Sequence, residues 1–399
     1  MYPDRDRDRD RDPTMRLDPV YRRRRRRAVV GLVIVMVVAW LAVSLGGALT
    51  DPALGSSASP RLAEWARAHG GAGLVNWIEN EWYSHHPPTV GGTPPAGAIR
   101  RPAVVPLVTP AGPAHLPPPA PIVPVARPAI PGEGEWSPAG RLVGGVPAVY
   151  VTTLRPDAVH TSYVVGVAWM DTELLRAALY SGSQIPGGTG YTHTAPVQPA
   201  AATTMVAAFN AGFLMPAADG GYFTDGRTIL PLRVGAASFV VYRNGTSTVG
   251  QWGRDVSLTP DVVSVRQNLD LLVEGGAPVP GLNATDTTRW GVTLGNRVYV
   301  WRSGLGVTAD GALVYVGGPG LDITDLATLL VRAGAVRAME LDINTDWVDF
   351  ASYRPATPAG QADASNGTDL LPSMVGTPGR YFEPWWDRDF ITMSAVPVP

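Results

Sequence analysis

The chain has no cysteine among its 399 residues. A disulfide framework, a thiolate zinc site and a cysteine nucleophile are therefore excluded. It has no lysine either: all 32 basic residues are arginine. Schiff-base chemistry is thus excluded, and the bias points to a GC-rich bacterial genome. Histidine is scarce, with His69, His85, His86, His115, His160 and His193 and none beyond. No histidine-based triad can be assembled within the second half. Chemistry there has to use carboxylates, arginine, asparagine, hydroxyls, backbone groups or a metal. The net charge of −2 hides an asymmetry: residues 1–27 hold 11 Arg and 6 Asp, and the remainder is mildly acidic. An acidic body argues against nucleic acid as a partner. What is abundant is glycine (45) and proline (39), so much of the chain is loop or linker.

Residues 4–12 alternate Asp and Arg, and the first 27 residues end on six arginines, Arg22 to Arg27. They read as a solvated cytoplasmic tail. Residues 28–49 are uncharged and strongly apolar. About 20 such residues span a bilayer as helix, which makes this a transmembrane segment. A cleaved signal peptide is the rival reading, but the run is long and Ala48-Leu49-Thr50 is a poor cleavage site. The arginines place the N-terminus in the cytoplasm and the body outside the plasma membrane. Residues 50–86 carry Trp65, Trp77 and Trp82 on short helices, broken by Gly70, Gly71 and Gly73, and read as membrane-proximal. Residues 87–135 are proline-rich and read as a stiff, extended linker, with little to bury. A domain follows over residues 136–399.

Within that domain, strands are expected at 146–154, 163–170, 203–209, 238–242, 248–252, 261–265, 289–294, 297–307, 313–316 and 389–396. Asn244-Gly245 turns a hairpin, and Asn296 and Asp310-Gly311 mark further turns. Asp171 is expected to cap a helix over Thr172 to Leu179. A second helix, from a cap at Asp322 or Thr324 to Gly334, places Ile323, Leu326, Leu330 and Ala333 on one face. Many strands with few helices give an α+β fold: mixed, mostly antiparallel sheets with a few packed helices, behind one N-terminal membrane helix.

That second helix leads into Ala338-Met339-Glu340-Leu341-Asp342-Ile343, where apolar and acidic residues alternate. Met339, Leu341 and Ile343 face one way, and Glu340 and Asp342 the other, about 6.7 Å apart along the strand. Like charges that close repel, so one carboxyl is expected to hold a proton near neutral pH, which yields an acid and a base. The plain alternative is a half-exposed strand whose acids meet solvent or arginine.

Three segments resemble the phosphodiester glycosidase family, that is, proteins like N-acetylglucosamine-1-phosphodiester α-N-acetylglucosaminidase, including bacterial exopolysaccharide-associated members. They are Asn210-Ala211-Gly212-Phe213; Arg302-Ser303-Gly304-Leu305-Gly306-Val307 with Asp310-Gly311; and the helix, Gly334-Ala335 and Leu341-Asp342. Where the family has Leu-Asp-Gly-Gly-Gly-Ser, this chain has Leu341-Asp342-Ile343-Asn344-Thr345-Asp346. Asn344 can adopt positive φ in place of a glycine; Ile343 cannot do so easily.

The resemblance implies an extracytoplasmic hydrolase or transglycosidase that acts on glycosyl-phosphodiester links of cell-wall or exopolysaccharide glycans. Such a bond breaks at the anomeric carbon and leaves a weakly basic phosphate, so the chemistry needs a carboxylate at the carbon and charge stabilisation of the phosphate. Asp342 is then the nucleophile, stabiliser or base, Glu340 its partner, and Arg302 the phosphate contact. Asn210, Gly212, Asn344 and Asp346 form the substrate-binding set. Trp290, Trp301 and Trp347 are candidates for sugar stacking or for core. A salt bridge to Glu340 is the alternative for Arg302, and a turn for Asn210. No cofactor is required, although Asp342, Asn344 and Asp346 alternate as oxygen donors suited to Ca²⁺. Two other classes remain: a glycan-binding module with a decayed catalytic loop, and a structural envelope protein.

Overall fold

A computed structural model describes residues 19–51, 57–71, 88–100, 113–283, 285–286, 289–291, 298–384, 386 and 388–397. They fall into two compact units, 1–65 and 66–399. The first unit contains the helix Pro19–Thr50 and all but the last residue of the short helix Ala58–Ala66. From Arg25 to Thr50 the long helix is apolar and long enough to cross a membrane. Its side chains Val29 to Val38 are exposed. Trp65 Nε1 donates to Ser44 Oγ at 3.0 Å, and Arg61 donates to the Leu49 carbonyl at 2.9 Å. Trp77 and Trp82 lie outside the described residues.

The second unit is built from three sheets. The first sheet runs, edge to edge, through Ser137–Val143, Val146–Leu154, Val165–Met170, Leu313–Leu321, Val300–Thr308, Ala335–Glu340, Leu271–Glu274 and Ala277–Pro278. The second runs through Arg227–Leu230, Tyr222–Thr224, Val262–Gln267, Ala237–Tyr242 and Ser247–Gln251. The third runs through Gly367–Asp369, Phe350–Tyr353, Met205–Asn210, Phe390–Ala395 and Leu175–Tyr180. Every pairing between these strands is antiparallel, and the α+β class holds.

Alternation along the strands divides the core. Leu313 and Tyr315 enter a cluster shared with Phe209, Phe239, Phe350 and Met393 of the other two sheets. Val314 and Val316 face the opposite way, onto a cluster with Leu326 and Leu330 of the helix Ile323–Arg332. That helix starts as its sequence implies. Asp322 Oδ1 accepts from Asp325 N at 2.7 Å, and the Asp325 carboxyl reaches back to Asp322 N. It ends before Gly334, whose φ of +97° suits glycine.

Three expectations change. Thr172 to Leu179 is not a helix. Asp171 Oδ1 accepts from Glu173 N and Leu174 N in a turn, and Leu175–Tyr180 is a strand paired along its length with Phe390–Ala395. Leu175, Ala177 and Leu179 enter the central cluster while Tyr180 enters the opposite one, so burial at period two overrides local helix propensity. Residues 289–291 form a turn rather than a strand, and 292–294 with Asn296 lie outside the described residues.

The proline-rich stretch is not a free spacer. Ile99 and Ile122 are buried in two of the clusters. Arg100 donates to the Asp369 and Leu370 carbonyls at 2.7 and 2.9 Å. Arg155 pairs with the buried Glu133 at 2.8 Å and holds the Ala126 and Pro128 carbonyls. Few of the described residues here are regular, yet several of their backbone groups bond to the body, as when Arg100 N donates to Thr153 Oγ1 and Leu116 N to Asp171 Oδ2, both at 2.9 Å.

Candidate active site

Glu340 ends its strand and Asp342 follows two residues later, with Met339 and Leu341 in the central cluster. The half-exposed alternative fails: Glu340 is 0% and Asp342 2% exposed. Each acid meets an arginine. Glu340 sits opposite Gly304 in the adjacent strand, which brings Arg302 alongside. Arg302 Nη1 reaches Glu340 Oε1 at 2.5 Å and the Trp290 carbonyl at 3.2 Å. Its Nε and Nη2 donate to the Leu321 and Val298 carbonyls. The arginine is 1% exposed and committed to these four acceptors. The salt-bridge alternative is what the geometry displays for it, in place of a surface open to phosphate.

Burial pushes the Glu340 carboxyl up to about 7, against the pull of Arg302; the charge of Asp342 adds a smaller push. Burial likewise raises Asp342 to about 6, against Arg388 and two backbone N–H groups. Both acids thus titrate near neutrality, chiefly through desolvation rather than mutual repulsion.

Asp342 Oδ1 accepts from Ile343 N at 2.7 Å and Asn344 N at 2.9 Å, and Oδ2 faces Arg388 Nη1 at 3.3 Å. Ser303 Oγ accepts from Asp342 N and from Asn210 Nδ2, both at 3.1 Å. Asn210 Oδ1 accepts from Tyr315 Oη and from Asp349 N. Asn210 therefore bridges the third sheet to the first and is no turn residue. Gly212 backs onto protein: a Cβ there would lie 3.0 Å from Arg266 Nη2 and 3.2 Å from Asn268 Oδ1. Asn268 in turn donates to the Glu340 and Leu341 carbonyls at 2.7 and 3.1 Å.

The segment after Asp342 does not imitate a glycine loop. Positive φ among non-glycine described residues occurs at Asp219, Asp225 and Leu269, not at Asn344. The Asp342 carboxyl caps two amides, Asn344 Oδ1 accepts from Asp346 N, and the Asn344 carbonyl accepts from Trp347 N and Val348 N. This is two consecutive side-chain-capped turns. Ile343 packs on Phe213, Ala218 and Leu269. Gly291, at φ +84°, fits over them because a Cβ there would lie 2.8 Å from Phe213 and 2.9 Å from Ile343. The oxygens proposed for Ca²⁺ at Asp342 and Asn344 are turned to these amides, and among the described residues no three acidic or imidazole side chains could hold a metal.

So Asn210, Arg302, Glu340 and Asp342 converge, but in the interior. Trp290 is core at 1% exposure, Trp301 is partly buried against the central cluster, and Trp347 is buried. A groove of about 680 Å³ lined by Phe223, Asp225, Arg243 and Leu258 includes none of the candidates.

Several residues of this network were not singled out from sequence. Arg266 pairs with Asp389 at 2.6 Å, and Arg380 and Tyr381 both meet Asp349. Arg388 lies 3.6 Å over the Trp347 ring. The signal was the run Trp385-Trp386-Asp387-Arg388-Asp389, which concentrates aromatic and charged residues before the last strand.

The model of the phosphodiester glycosidase family matches residues 203–342. Comparison with curated proteins returns no match. Similar solved structures include the zebrafish N-acetylglucosamine-1-phosphodiester α-N-acetylglucosaminidase catalytic domain auto-inhibited by its pro-peptide. It is 13% identical over 66% of this chain and 88% of that one, with a TM-score of 0.39. A hypothetical protein from Synechocystis is 12% identical over 65% of this chain and 64% of that one, with a TM-score of 0.35. The matched residues, which end on Asp342 itself, are what this chain has in common with the phosphodiester glycosidase family.

Proposed function

We propose that the chain is a membrane-anchored, extracytoplasmic glycosidase that cleaves or transfers glycosyl-phosphodiester links, with cell-envelope or exopolysaccharide glycans as substrates. The observation that carries this reading is Asp342: a buried carboxylate raised to about 6, held by two amides and an arginine, at the end of the family segment. An acid with that affinity for protons is suited to act at the anomeric carbon near neutral pH. Asn210 and Ser303 fix the backbone that presents it. Glu340, sealed against Arg302, sets the local charge. The helix Pro19–Thr50 serves as the anchor, with Arg22 to Arg27 on the cytoplasmic side.

The test is turnover of an aryl or nucleotide-sugar phosphodiester by the full chain, wild type against Asp342→Asn, and protease shaving of intact spheroplasts for topology. Turnover that depends on Asp342, from a body released by protease, supports the reading. A second reading, a structural envelope protein, is favoured by one observation: Asn210, Arg302, Glu340 and Asp342 are all at most 6% exposed. A folded wild type that neither binds glycan nor turns over a glycosyl phosphodiester would select it.

A further inference from the structure

The family resemblance implies that Asn210 meets substrate, yet its amide is engaged inside the protein. Asn210 Oδ1 accepts from Tyr315 Oη at 3.0 Å and from Asp349 N at 3.3 Å. Its Nδ2 donates to Ser303 Oγ at 3.1 Å. We propose that Tyr315 is a positioning residue: through Asn210 and Ser303 it sets the direction of a hydrogen-bond relay that holds the Asp342 peptide in place. This rests on reading Asp342 as the reacting carboxylate, and it makes Asn210 a link in the relay instead of a sugar contact.

The donors and acceptors leave one arrangement. A backbone N–H can only donate, so the end of Asn210 that faces Asp349 N is the oxygen, and Tyr315 Oη, on that same oxygen, donates too. The Asp349 carbonyl, 3.1 Å from the same hydroxyl, already accepts from Asn210 N. The amide nitrogen of Asn210 then faces Ser303. Ser303 Oγ accepts there and again from Asp342 N at 3.1 Å, which uses both lone pairs. Its one proton is left for the Asp342 carbonyl, at 3.3 Å. The relay thus ends on both the N–H and the carbonyl of Asp342. Without the phenol, the Asn210 amide is oriented by Asp349 N alone. Reversed, Asn210 would draw the Ser303 proton away from Asp342.

Tyr315 is placed for this task. It is fully buried between Phe209 and Phe350, with ring centroids 5.4 and 5.3 Å away. Burial pushes its phenol well above the ordinary value, so it stays a donor. Gly317, two residues on, leaves room for it: a Cβ there would lie 2.8 Å from the ring and 3.0 Å from the hydroxyl. Phenylalanine would fill the ring's place in the core equally well, which leaves the hydroxyl to orient Asn210.

Amide hydrogen exchange of the full chain in detergent, read by mass spectrometry, tests the relay, beside kinetics on a glycosyl phosphodiester. Tyr315→Phe should speed exchange of the peptide covering residues 341–349 at least about tenfold and leave the strand Ala335–Glu340 protected. Ser303→Ala should do the same. The double variant should exceed the larger single effect by no more than about twofold, because a relay broken once is broken. Phe239→Leu, which loosens the central cluster away from the relay, should lower Tm and leave that peptide as in wild type. In turnover, Tyr315→Phe should lower kcat at least about tenfold with KM within about twofold of wild type. It should also move the acidic limb of the pH profile upward, since a loosened turn offers weaker amide bonds to the charged Asp342. If Tyr315→Phe does not fold, Ser303→Ala decides by the same readouts. Unchanged exchange at 341–349 in the folded variants, or additive effects in the double, overturns the relay. A wild type that turns nothing over loses the enzyme reading, and the exchange pattern still decides the relay. An active protein whose kcat and pH profile ignore Tyr315→Phe keeps the enzyme and loses the positioning role.

Discussion

Glu340 and Asp342 are two residues apart, both buried and both beside an arginine, yet they are held differently. Glu340 meets Arg302 at 2.5 Å, and that arginine is saturated by three carbonyls. Asp342 meets Arg388 at 3.3 Å and leans on two amides of its own turn. Glu340 stands within the paired strands of the first sheet, and Asp342 where that sheet ends and the capped turns begin. The contrast teaches that burial and an arginine partner do not define a reactive acid. The backbone setting matters as well: Glu340 is fixed within paired strands, and Asp342 stands in the turn that follows them.

If locked ion pairs are structural, the Glu133–Arg155 pair belongs with Glu340–Arg302. The largest effect then comes from deleting residues 51–135 and leaving the rest. This removes Ile99, Ile122 and Glu133 from the body, and the remainder is expected to lose cooperative unfolding in denaturant. A fragment starting near Glu135 that unfolds cooperatively would restore the free-linker expectation. Next, Arg302→Met leaves Glu340 unpaired in the interior and should cost about 3–5 kcal/mol in urea titration. A cost under about 1 kcal/mol would erase the distinction between the two pairs.

Then comes pH. Glu340 is raised in the fold, so it binds its proton more tightly there than in the unfolded chain. Its contribution favours the fold at low pH and is lost as pH rises from about 4.5 through about 7. Relative to Glu340→Gln, wild type should lose about 3 kcal/mol across that window. Parallel stability curves for the two proteins would mean that Arg302 cancels the burial. The smallest effect is Ile343→Gly. It removes a partly buried side chain from Phe213 and Leu269 and should cost about 1–2 kcal/mol while exposing the Asp342 turn, read as faster amide exchange at Asn344.

Much of this was legible where the signal is local. Asp322 and Gly334 bracket a helix through its end groups, and Asn244-Gly245 turns the hairpin between Ala237–Tyr242 and Ser247–Gln251. Leu175 to Tyr180 was not, because Leu-Arg-Ala-Ala-Leu suits a helix until Phe390–Ala395 lies beside it. The proline-rich segment hid its burial in isolated residues, Ile99 and Ile122, with no periodicity to announce them. At the site, Asp342, Glu340 and Asn210 stood out by pattern and resemblance. Arg388 is 46 positions from Asp342, so only the fold could pair them. Arg302 was noticed for the right strand, but its saturation by Trp290, Val298 and Leu321 carbonyls depends on segments far along the chain from Glu340.

The central claim is that the acid at the end of the sheet reacts and the locked one supports. It is tested most directly by kcat/KM on a glycosyl phosphodiester for Asp342→Asn and Glu340→Gln, each beside its own Tm. Asp342→Asn keeps the turn's acceptor and should lose at least about a hundredfold in kcat/KM with little change in Tm. Glu340→Gln should keep most of the activity in the folded protein. Wild-type turnover that survives Asp342→Asn in a folded protein, or is abolished by Glu340→Gln in a folded protein, contradicts the assignment.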